Sequence, residues 1–84
     1  MTNKTNNRKE AQKKHLLELL AQTAVNLNKL NFTVNLNEVR TQLHQSLSQI
    51  KMAFDGLAKD NLLVITNRHR IDKDILYSCE LRLR

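Results

Sequence analysis

Two helix-start signatures stand eleven residues apart in this 84-residue chain, and that spacing constrains the fold more than any other feature. Asn35 with Glu38, and Ser46 with Gln49, each combine an acceptor for orphan helix N–H groups with a longer side chain that reaches back. A helix opening after Asn35 must therefore end before Ser46. Leu36, Val39 and Leu43 give that short helix, Leu36–Leu43, an inner face. A second helix then runs from Ser46 to about residue 60, burying Ile50, Phe54 and Leu57 at steps of four and three. Gly56 weakens it by up to about 1 kcal/mol relative to Ala. Asn61 stands where a left-handed C-terminal cap is expected. The middle of the chain reads as a tight helix–turn–helix.

On its N-terminal side the apolar period is again helical. Leu16, Leu20, Leu27 and Leu30 fall along one stripe of a long first helix expected over residues 8–28. Leu17, Ala21, Ala24 and Val25 widen that stripe to an arc of roughly 240°, more than one side of a core requires. The surplus flank, Leu17, Ala21 and Val25, is the expected contact of a homodimer. Phe32-Thr33-Val34 follows as a short strand. After Asn61 the period changes to two. Residues 62–66 are apolar and β-branched, and Ile75, Tyr77, Cys79, Leu81 and Leu83 alternate with Leu76, Ser78, Glu80, Arg82 and Arg84. Two strands joined by an eight-residue basic loop, residues 67–74, make a hairpin. The expected class is α+β, mainly α with a small β-hairpin.

Composition removes alternatives. One Gly, no Pro and one Cys exclude collagen-like chains, Gly-rich phosphate loops, disulfide scaffolds and cysteine-based zinc modules. No apolar run reaches the roughly 18 residues of a membrane span, and no signal-peptide core follows Met1. With a lone thiol at Cys79, read as a small buried hydrophobe, the expected location is the cytoplasm. The net charge of +6 is uneven: +4 over residues 1–15, zero over 16–60 and +2 over 61–84. Residues 1–7 are expected to form a flexible basic tail and residues 8–84 one domain. His15, His44 and His69 fall on separate elements, and Asp72 and Asp74 read as turn residues. Neither a catalytic constellation nor metal-ligand spacing is present, so no enzymatic activity, cofactor or metal is expected.

The order helix, short strand, helix–turn–helix, hairpin resembles that of winged helix domains. The likeness reaches residue level between Val39 and Leu63. Leu43 ends the second helix, Ser46 opens the third, Ile50, Phe54 and Leu57 fill the buried positions, and Asn61-Leu62-Leu63 resembles the family's Gly-Leu-Ile step into the wing. Two departures stand out. The turn carries His44 and Gln45 where the family has a small and an apolar residue, and the third helix has only Lys51 and Lys59 as cations. The resemblance implies the order α1-β1-α2-α3-β2-wing-β3, with a long first helix, and a sequence-specific binder of double-stranded DNA. Such a chain would be a small homodimeric transcriptional regulator associated with the nucleoid.

On that resemblance the helix over residues 46–60 enters the major groove. Leu47, Ser48, Gln49, Lys51 and Met52 are the candidate base contacts, since Gln pairs with adenine, Lys with guanine, and Leu or Met packs on thymine methyl groups. Arg68, His69, Arg70 and Lys73 of the wing, with Arg40 on the second helix, are candidates for backbone or minor-groove contact. Lys4, Arg8, Lys9, Lys13 and Lys14 would form an N-terminal arm. The competing reading is a winged helix protein-docking module, or a phage- or plasmid-encoded modulator of a host protein. The sparse charge on the third helix favours it, and the Asn-rich composition is similar to that of mobile-element proteins.

Overall fold

The computed structural model describes the chain from Lys4 to Arg82, with side chains from Glu10 onward. Six elements follow one another: α1 (Lys4–Leu27), β1 (Asn31–Asn35), α2 (Leu36–Leu43), α3 (Leu47–Lys59), β2 (Leu63–Ile71) and β3 (Asp74–Leu81). The strands form one antiparallel sheet in the order β1-β3-β2. The fold is α+β, with three helices and a three-stranded sheet.

One core joins the layers. Leu16, Leu20 and Ala24 of α1 meet Leu36 and Val39 of α2, Ile50, Ala53, Phe54 and Leu57 of α3, and Leu63, Tyr77, Cys79 and Leu81 of the sheet. Phe54, fully buried, sets its ring edge-on to Tyr77 at 5.1 Å and 61°. Such a pair contributes about 0.5–1.5 kcal/mol beyond the area it buries. Inward Phe32 and Val34 lie across from Cys79 and Tyr77, whereas Thr33 and Ser78 share a 2.8 Å hydroxyl hydrogen bond on the outer face.

Each helix ends in the same way. The N–H groups of Asn28 and Lys29 bond the carbonyls of Val25 and Ala24, those of His44 and Gln45 bond Thr41 and Arg40, and those of Asn61 and Leu62 bond Ala58 and Leu57. This is the Schellman pattern, closed by left-handed residues at Asn28, His44 and Asn61 with φ of 55°, 53° and 61°. A chain with a single glycine thus stops its helices with two asparagines and a histidine. The left-handed cap expected at Asn61 is present.

Several expectations are corrected. α1 starts at Lys4 rather than residue 8, so residues 4–7 of the expected tail have helical backbone; residues 1–3 lie outside the described residues. Leu27 and Leu30, expected on the buried stripe, are 51% and 46% exposed. The left-handed turn at Asn28 takes Leu30 off the 100° step, and Leu27, at the end of α1, lies beyond the core stripe, which stops at Ala24. Asn35 caps α2, but it accepts from Asn37 N–H without the reciprocal Glu38 arm. At Ser46 both arms of the box form: Gln49 N–H donates to the Ser46 hydroxyl, and Ser46 N–H to the Gln49 side-chain Oε1.

Residues 67–71, expected in a loop, continue β2, and the turn is only Asp72 and Lys73. Their polarity reported exposed side chains, while the backbone stays paired to β3. Asp72 takes a positive φ of 55° at the first central position, which Asp tolerates better than most residues. β3 ends at Leu81, and Leu83 and Arg84 of the expected strand lie outside the described residues.

Candidate nucleic-acid interface

Period-two alternation determines which face of β2 a side chain joins, and β2 changes its alternation midway. Leu63 pairs with Leu81 and Ile65 with Cys79, both on the core face. Asn67 then pairs with Ser78, so Thr66 is an extra residue in a β-bulge. Its hydroxyl donates to the Ser78 carbonyl at 3.2 Å. Beyond the bulge, Arg68 stands opposite Tyr77 and Arg70 opposite Ile75, on the face that α3 covers. Without the bulge that face would receive Asn67 and His69. A single inserted residue puts both arginines on the core side of the sheet, and Arg68 reaches α3.

Arg68 meets α3 directly. Its Nη2 donates to Asp55 Oδ1 at 3.0 Å, and its guanidinium carbon lies 5.2 Å from the centre of the Tyr77 ring. Asp55 belongs to the exposed face of α3, which also carries Ser48, Lys51, Met52 and Lys59. At about 100° per residue these five positions span one outward arc. Met52 is 56% exposed, and Lys51 and Lys59 form no ion pair among the described residues. The hairpin is braced at its other end, where Asn37 Nδ2 donates to the Lys73 carbonyl at 2.9 Å. Arg70 Nε donates to the Asp72 carbonyl at 3.3 Å, holding its side chain along the turn.

Not every expected contact lies on this surface. Leu47 is half-buried and packs on the core rim, and Gln49 is half-buried with its side-chain Oε1 engaged in the cap. His69 projects from the opposite face of the sheet, its Nδ1 3.3 Å from Asn67 Nδ2. Arg40 is exposed in the last turn of α2. Lys13 is engaged elsewhere: its Nζ lies 2.7 Å from Asp60 and 3.1 Å from Glu10, which together raise its pKa, the Asp60 bond most of all. Lys14 is exposed, while Lys4, Arg8 and Lys9 belong to the first turns of α1, with side chains outside the described residues.

On the expected dimer flank, Leu17 and Ala21 are half-buried and Val25 is 72% exposed. Ala21, Val25, Leu30 and Leu81 line a shallow, mainly apolar groove at the C-terminal end of α1. Among the described residues no cluster of His, Cys, Asp and Glu could hold a metal ion, and no helix is long and apolar enough to cross a membrane.

Asp55 and Tyr77 are the partners that sequence reasoning missed. Asp55 is recognisable as outward-facing, but its link to Arg68 depends on the Thr66 bulge, which no glycine marks. In comparisons with known proteins, no family model, no curated protein and no solved structure matches the chain.

Proposed function

We propose that the chain is a winged helix domain that binds double-stranded DNA as a small homodimeric transcriptional regulator. In this reading the exposed face of α3 enters the major groove. Ser48, Lys51 and Met52 meet base edges, and Arg70, Lys73 and Arg68 meet the backbone or minor groove. One observation carries it: the Arg68–Asp55 contact, made possible by the Thr66 bulge, ties the hairpin to the open face of α3. The element order and the sheet order β1-β3-β2 support the same assignment.

Affinity then comes from the hairpin and the ends of the chain, and sequence choice from sparsely charged side chains on α3. The flank formed by Leu17, Ala21 and Val25 suits an isologous helix pair, with small Ala21 between two larger apolar residues. Two α3 helices of such a dimer would address half-sites about 34–36 Å apart. The test is a titration of duplex DNA at increasing salt. The reading expects binding that weakens steeply with salt, and absence of binding at micromolar protein overturns it.

A second reading is protein docking, favoured by the exposure of Met52 on the α3 face. A chain that binds no duplex, but whose Met52→Ala variant loses capture of a host protein partner, belongs to that class.

A further inference from the structure

Asp55 is an awkward residue for a surface that faces phosphates. It stands on the outward arc of α3 between Lys51 and Lys59, and its side chain is 63% exposed. Among the described residues its one ion-pair partner is Arg68, reached from β2 across the Tyr77 ring of β3. Three elements therefore converge on one guanidinium: α3 supplies the carboxylate, β2 the cation and β3 the aromatic platform.

We infer that Asp55 is a specificity-determining residue: by tying Arg68 across Tyr77, it withholds a cation from the backbone of unrelated duplexes. The inference rests on the DNA-binding reading and deepens it. A guanidinium free to swing would contact phosphate on any sequence, because backbone contacts carry no base information. Held by Asp55, Arg68 reaches a phosphate only by leaving the carboxylate unpaired beside an anionic backbone. In the major groove the cytosine N4 amino group can satisfy a carboxylate. Release of Arg68 is therefore tolerated where the sequence offers that donor and opposed elsewhere. The exposed pair exchanges easily, Arg68 being 55% exposed, so the tether biases recognition without blocking it.

The experiment compares wild type, Asp55→Asn, Arg68→Ala and the double variant on a pool of random-sequence duplexes, by fluorescence anisotropy across a salt series. Asp55→Asn is expected to bind the pool about fivefold tighter, with a salt slope steeper by about one. In the Arg68→Ala background the same substitution should change affinity by less than about twofold. An equal gain in both backgrounds overturns the tether, because Asp55 would then act only as a negative charge; no gain in either also overturns it. Failure of the wild type to bind any duplex is a different result and removes the DNA-binding reading itself. A readout without DNA completes the set: the Arg68 Nη2–H resonances, resolved at low temperature, should be distinct in wild type and move to the free-arginine position in Asp55→Asn. An unchanged resonance contradicts the tether whatever the DNA result.

Discussion

Lys13 crosses α3 directly over Gly56: a Cβ added to Gly56 would come within 2.7 Å of the Lys13 δ-carbon. The glycine leaves room for the lysine stem, whose ammonium continues to Asp60 at the end of α3. In sequence Gly56 reads only as a weak point in a helix. In the fold it lets α1 and α3 approach closely.

Gly56→Ala should therefore fail to give the usual helix-propensity gain, because the Lys13 stem must move and its bridge to Asp60 is disturbed. In a Lys13→Ala background the same change should stabilise the protein by up to about 1 kcal/mol. Urea denaturation of the four-member cycle measures the coupling, and additive effects would contradict the crossing.

His44 ends α2 in the left-handed conformation, which penalises a side chain with a Cβ. His44→Gly should raise stability by about 0.5–1 kcal/mol. Asn61→Gly should give less, since Asn tolerates the conformation better. Thermal melts of the two variants check the order.

Burial pushes the Cys79 thiol up to about 11 from an ordinary 9.0. The raised value means that the folded state holds the neutral thiol while the unfolded chain ionises first. Its contribution to stability is full below pH 9 and is lost as pH rises towards 11. Denaturation midpoints of wild type should fall across that range more steeply than those of Cys79→Ala. In the native state the thiol should resist alkylation at pH 8, where the unfolded chain reacts.

Gln49 and Lys51 separate two roles that sequence reasoning merged. Gln49→Ala removes one arm of the capping box and should cost about 0.5–1 kcal/mol, with duplex preference unchanged. Lys51→Ala should leave stability nearly unaltered and relax the preference. Random-site selection with both variants decides the assignment, and a shift in preferred sequence for Gln49→Ala would return it to the reading face.

The legible parts of this fold were those encoded locally. Ser46 with Gln49 announced α3, Leu36 with Val39 announced the inner face of α2, and the alternation of Tyr77, Cys79 and Leu81 announced β3. What stayed hidden depends on partners distant in sequence. Lys13 and Asp60 lie 47 residues apart, and their pairing follows from the α1–α3 crossing alone. The polar run from Asn67 to Arg70 resembled a loop, since side-chain polarity does not report that its backbone pairs with β3. The Thr66 bulge carries no marker, yet it decides that Arg68 and Arg70, rather than Asn67 and His69, lie on the core side of the sheet, where Arg68 meets α3.

In the DNA-binding proposal, the outward face of α3 and the hairpin arginines form one DNA-contacting surface. Its most direct test is an NMR titration of the labelled protein with duplex DNA. The Ser48, Lys51 and Met52 amides and the Arg68 and Arg70 Nε–H groups should shift together, at the same protein-to-duplex ratio. Shifts confined to the Leu17–Val25 flank of α1, or no shifts at all, would contradict it.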